Sequence, residues 1–126
     1  MSERKSIHID GLSHITGIPV ATRIGPLLVS SVIASFDPGT RNVPAGYPAQ
    51  YANLVRHVGE MLKAAGADWR HVAKMEFWVP VAEARDACEP PWNEHFPDPD
   101  SMPARHTHVV PGATAVSASF LAYLPR

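Results

Sequence analysis

AQYANLVRHVGEMLKAAGADWRHVAKMEFWVP, residues 49–80, changes its hydrophobic period part-way along, and that change decides the fold class. In the first half, Tyr51, Leu54, Val55, Val58, Met61, Leu62 and Ala65 recur at steps of three and four, the spacing of one stripe on an α-helix. Asn53, Arg56, Glu60 and Lys63 fall on the water side of that helix. Pro48 suits a first turn, where its missing N–H is not needed, and Gly66 suits the left-handed residue that stops a helix. After a connection of about seven residues the period drops to two. Met75, Phe77 and Val79 then alternate with Lys74, Glu76 and Trp78, a strand with one apolar face. Helix, short connection and strand in this order belong to an α/β or α+β domain.

Upstream, HITGIPVAT (14–22) and GPLLVSSVIASF (25–36) read as two strands turning at RIGP (23–26), and DPGT (37–40) reads as a tight turn. Downstream, VAEARDACE (81–89) reads as a second, shorter helix that Pro90 and Pro91 end or break, with PWNEHF (91–96) able to restart as one turn. ARHTHVV (104–110) and TAVSASFLAYL (114–124) complete the set as strands around a Pro111-Gly112 turn. The order is β-β-α-β-α-β-β. It predicts a single α+β domain over 1–126, a mixed sheet with two helices on one face, and residues 1–12 as an N-terminal extension or edge strand. Trp78 lies on the other face, and no third helix remains to cover it. Oligomerisation through the sheet is the simple way to cover it.

Composition removes several function classes. The 126 residues can bury roughly two thirds of the surface of the unfolded chain, enough to fold without staples. The single cysteine, Cys88, allows no internal disulfide and fits a reducing compartment. The start, MSERKSIHID, lacks the apolar core of a secretory signal, and no apolar run approaches the ~18 residues that span a bilayer. The expected location is cytoplasmic, with no membrane partner. Eleven basic residues are scattered among twelve acidic ones with no basic stripe, so no nucleic-acid partner is expected. Neither nucleotide-binding glycine motifs nor H-E-x-x-H nor C-x-x-C occurs, and no cofactor is expected.

Four residue groups invite chemistry. Arg105 opens a strand two residues after Pro103; a guanidinium there reaches solvent, pairs structurally with Glu89 or Asp86, or anchors a carboxylate through its two-pronged fork. His106 and His108 share a strand face at the i, i+2 spacing that can hold a divalent metal. A third ligand would have to be His14, His71, His95 or a carboxylate, and nothing in the sequence places one, so no metal is expected. Ser30 and Ser31 lie inside an apolar strand rather than in the tight turn of a nucleophilic serine, and their hydroxyls suit backbone or ligand bonding. Cys88 reads as a small buried hydrophobe.

Taken in order, these pieces resemble the reactive-intermediate deaminase (Rid, YjgF-like, "L-PSP endoribonuclease") family from about His14 onward. GPLLVSSVIASFDPGT is similar to that family's strand ending in Ser-Gly and followed by a D-P-x-T-G turn, residues 49–79 to its long helix and next strand, and PAR (103–105) to its pocket motif. The resemblance implies a chorismate-mutase-like fold assembling as a barrel-cored homotrimer with clefts between subunits, and a small-molecule carboxylate ligand held by Arg105. It also implies where the pocket departs from the family. Thr107 stands where cysteine is frequent, Ser117 where a glutamate is expected on the last strand, Ile18 where an aromatic is expected, Glu89 near an asparagine, and Val32 in place of the glycine after Ser31. The substrate-binding set so implied is Arg105, Thr107, Ile18, Ser31 and Trp92, and the catalytic set Arg105, Ser117 and Glu89. A serine hydroxyl does no acid–base work near neutral pH, so Glu89 or His106 would have to supply it. The expected activity is binding of imino or keto acids, with hydrolysis of an enamine or imine as the reaction. The alternatives are a ligand-binding or protein-interaction member without turnover, and a ribonuclease, which the charge pattern disfavours.

Overall fold

The computed structural model describes residues 3–125. Helix α1 (Tyr47–Ala64) has Pro48 in its first turn, and Gly66 follows its end with φ of 76°. Tyr51, Leu54, Val58, Met61, Leu62 and Ala65 are buried along one stripe, as the three-and-four spacing requires. Strand β5 (Val72–Val79) turns Met75, Phe77 and Val79 inward beneath it, and a 3-10 turn at Trp69–His71 joins the two. Asp68 and His71 cap that turn reciprocally, the Arg70 N–H donating to Asp68 and the Asp68 N–H to His71 Nδ1.

The other strands are β1 (Arg4–Ile7), β2 (Ala21–Ile24), β3 (Leu27–Ser30), β4 (Ile33–Ala34), β6 (Ala104–Val109) and β7 (Ser117–Tyr123). They form one mixed sheet in the order β1-β2-β3-β7-β5-β6, with β4 also pairing β7. Residues 4–7 are therefore an edge strand. The expected strand over 14–22 forms only from Ala21. Residues 14–20 are turn and loop, because Gly17 takes a φ of 77° and Pro19 offers no ladder N–H. At the predicted Gly25-Pro26 turn, Ile24 pairs Leu27. Asp37-Pro38-Gly39-Thr40 closes as predicted, the Thr40 N–H donating to the Asp37 carbonyl over 3.0 Å.

The prolines at 90 and 91 act differently from the expectation. A 3-10 stretch covers Ala82–Cys88, and α2 (Glu89–His95) runs through both prolines. Both sit in the first turn of α2, where backbone N–H groups have no intrahelical acceptor, so the prolines start a helix instead of stopping one. This segment carries the chain from β5 to β6, which pair in parallel, and both helices pack on the face that Met75, Phe77, Ala118 and Phe120 present. The opposite face carries Ile24, Leu27, Leu121 and Tyr123, all exposed, toward one end, and half-buried Trp78, opposite Ser117, toward the other.

The polar flank of α1 also differs from its expected role. Asn53 does not face open water. Its amide donates to the Ser35 carbonyl at 3.1 Å and to Asp37 Oδ1 at 2.9 Å. Gln50 and His57 are buried. Gln50 binds the Pro44 carbonyl and accepts the Val116 N–H, and His57 Nε2 donates to the Phe36 carbonyl at 2.8 Å. Three helix side chains thus satisfy backbone groups of the irregular segments after β4 and just before β7.

Candidate functional site

Arg105 lies on edge strand β6, opposite Met75, and Thr107 opposite Phe77. Paired residues of parallel strands point to the same side, so both project toward α2. There the Arg105 guanidinium sits 4.7 Å above the Trp92 ring. Its Nη2 donates to Glu89 Oε1 over 2.7 Å and its Nη1 lies 3.6 Å from Cys88 Sγ. Trp92 is buried and forms a rigid floor; Glu89, first residue of α2, closes one end. Burial is the largest single influence and works against the guanidinium charge, but the hydrogen bonds and charges of Glu89 and Cys88 together outweigh it and raise the pKa. The neighbouring Cys88 thiol is pushed up to about 11 by burial, against the pull of Arg105, so it stays protonated and is no nucleophile.

The side chains of Arg105 and Glu89 are 31% and 51% exposed. An ion pair this wet contributes only about 0–1 kcal/mol, so an incoming carboxylate can displace Glu89 at little cost. The cation–π contact with Trp92 adds about 0.5–1 kcal/mol. Among the described residues, Arg105 donates side-chain hydrogen bonds only to Glu89 and Cys88, so part of its set of five N–H donors is left for a ligand.

The remaining expected site residues lie apart from this group within one chain. Ser117 pairs with Trp78 and stands on the opposite face of the sheet, two strands from β6, roughly 10 Å away by strand spacing. Ile18 is exposed in the loop before β2. The Ser31 hydroxyl donates to the Pro19 carbonyl at 2.8 Å, and the Ser30 hydroxyl accepts the Phe120 N–H at 2.9 Å, both serving the backbone as expected. One chain therefore brings together Arg105, Thr107, Glu89 and Trp92, and leaves Ile18, Ser31 and Ser117 elsewhere. The void behind Trp92, lined by Tyr51, Phe77 and Cys88, measures ≈ 20 Å³, room for about one water and no substrate.

On the other sheet face, His106 and His108 do have a third potential ligand. Glu76 of β5 lies opposite His106, and its Oε2 is 2.8 Å from His108 Nε2. Ligand atoms of all three lie within 4.8 Å of one another. Two of the histidines considered as third ligand are engaged elsewhere, His71 in the Asp68 cap and His95 stacked 4.2 Å from Trp69. The partner was missed because it comes from a neighbouring strand, and strand register cannot be read from residue spacing.

Comparison with solved structures supplies the fold's relatives. The YjgF gene product of E. coli superposes with a TM-score of 0.83 at 19% identity, covering 94% of this chain and 98% of that one. RidA from the Antarctic bacterium Psychrobacter gives 0.84 at 20% identity over 95% and 99%. The chain has the Rid fold. A third structure with this fold, E. coli TdcF with bound serine, gives 0.85 at 17% identity over 96% and 99%. No family model matches the sequence, and no curated protein matches it. Rid-fold architecture is thus kept at an identity where pocket residues need not be.

Proposed function

We propose that this chain is a divergent Rid-family protein that binds small carboxylates of the imino- or keto-acid class at Arg105, in clefts between the subunits of a homotrimer. The observation that carries this is the Arg105 group itself: a guanidinium over the Trp92 ring, paired to a single carboxylate it can exchange, at the open edge of the sheet. Two further facts support it. The separation of Ile18, Ser31 and Ser117 from Arg105 makes sense if a second chain brings them to the site, and a carboxylate-bearing amino acid, serine, is bound in TdcF.

Within this reading the chemistry falls to Glu89. It is the carboxylate that touches Arg105, and once displaced by a ligand it is placed to handle a proton beside the reacting centre. The reaction is hydrolysis of an enamine or imine: water adds to the C=N carbon and the amine leaves as ammonia. With serine at 117, 2-iminopropanoate and 2-iminobutanoate turn over weakly. The non-catalytic alternative has its own support in the ion pair, which makes Glu89 a plug for an empty anion site. Glu89→Gln separates the two. As a plug, its removal strengthens binding of pyruvate or 2-oxobutanoate, read as increased protection against thermal unfolding, and changes nothing else. As the acid–base group, its removal also abolishes imine hydrolysis in a semicarbazide-competition assay. If Arg105→Ala binds these carboxylates as well as the wild type does, the carboxylate reading is lost.

A further inference from the structure

We propose that Glu76, His106 and His108 form a binding site for a divalent transition-metal cation of the zinc class, on the face of the sheet opposite Arg105. It is independent of the carboxylate site, sharing no residue with it. Three observations carry it. The ligand atoms come from two adjacent strands and already lie within 4.8 Å of one another. Tetrahedral coordination at ~2.0–2.1 Å needs donors roughly 3.3 Å apart, so the 2.8 Å Glu76–His108 pair opens by about half an ångström and His106 swings in.

The rings are also held for this. Trp78 stacks on His108 with centroids 5.2 Å apart and planes 10° from parallel, and the His106 ring lies 3.9 Å from that of His108. The Glu76–His108 hydrogen bond explains those two side chains. It does not explain His106, whose imidazole makes no hydrogen bond among the described residues yet is drawn to the same point. Lys74 Nζ stands 4.0 Å from Glu76 Oε1, so it competes for that oxygen and leaves Oε2 as a single-oxygen ligand.

The donor set selects the ion. Two imidazoles and one carboxylate suit Zn²⁺, Co²⁺, Ni²⁺ or Cu²⁺, whereas Ca²⁺ and Mg²⁺ require oxygen cages. Three protein ligands leave a position for water or for a donor from another chain. Because the apolar residues of this sheet face suit subunit contact, the metal has to be offered both to the assembled protein and during refolding.

The test uses tag-free full-length chain, titrated with zinc chloride in both ways and with cobalt chloride as a coloured reporter of geometry. About one ion per chain is expected, with a visible cobalt band. Glu76→Gln and His106→Ala should each weaken binding by at least about tenfold, the lower end of what even a group behind a metal ligand contributes. His8→Ala, an exposed control, and Arg105→Ala should bind as the wild type does. Stoichiometric binding that survives both triad substitutions, or no stoichiometric binding by either route, overturns the site. A loss of zinc binding leaves the Arg105 reading untouched, since pyruvate protection is measured separately.

Discussion

At the residue scale, Arg105 and His57 show how environment sets what a side chain does. Arg105→Ala removes a half-exposed ion pair and one stacking contact, so the cost in stability should be no more than about 1–2 kcal/mol, while carboxylate binding falls by roughly 10- to 150-fold, the value of one charge-assisted bond. Arg105→Lys should recover only part, because an ammonium has no fork. Thermal melts with and without pyruvate read both effects. His57 gives a pH prediction. Burial lowers its pKa, the Phe36 carbonyl bond opposing and Arg56 adding to the shift. A histidine depressed in the folded state binds its proton more readily unfolded, so its share of stability is present above the ordinary value of about 6.5 and lost as pH falls below it. Urea midpoints should therefore drop between about pH 7 and pH 5, and His57→Gln should flatten that slope while lowering stability at neutral pH.

At the element scale, the clear periodicities were legible and the irregular joints were not. The stripe of α1 and the alternation of β5 are set by burial on one side, and local spacing reports that directly. The left-handed Gly66 is equally local. A Cβ added there would meet only Arg23 Nη1 at 3.6 Å, so Gly66→Ala should cost about 1 kcal/mol through backbone conformation alone, a fall in Tm of roughly 4 °C. Ser30 shows the opposite case. Its hydroxyl replaces a strand carbonyl where β3 ends and β4 has not begun, a gap that only the paired strand β7 defines. Ser30→Ala should leave the Phe120 N–H unpaired and cost about 1–3 kcal/mol, measurable by chemical denaturation. The run from 81 to 96 misled for a related reason. Proline's effect depends on where a helix begins, and tertiary packing of Trp92 and Cys88 against the sheet chose Glu89 as that point.

At the scale of the whole molecule, the proposed homotrimer rests on the exposed apolar residues of one sheet face. Ile24, Leu27, Leu121 and Tyr123 lie exposed on one end of that face, neighbours across β2, β3 and β7, a cluster that suits subunit contact. A homotrimer through that face predicts a light-scattering mass near three times 13.7 kDa, and Leu121→Glu with Tyr123→Glu should shift it toward the single chain. A wild-type monomer at micromolar concentration would remove the trimer from the proposal. The sequence by itself determined the α+β class, the principal helix and strand, the turns at 25–26 and 37–40, and the position of Arg105, because each follows from local period or from one residue's backbone preference. Only the tertiary structure decided that Glu89 rather than Asp86 pairs with Arg105 and that Trp92 lies under it, that Ser117 lies on the far face, that Gln50, Asn53 and His57 serve loop backbone, and that Glu76 joins His106 and His108. Those meetings depend on strand order and register, and contacts between residues distant in the chain leave no period in it to read.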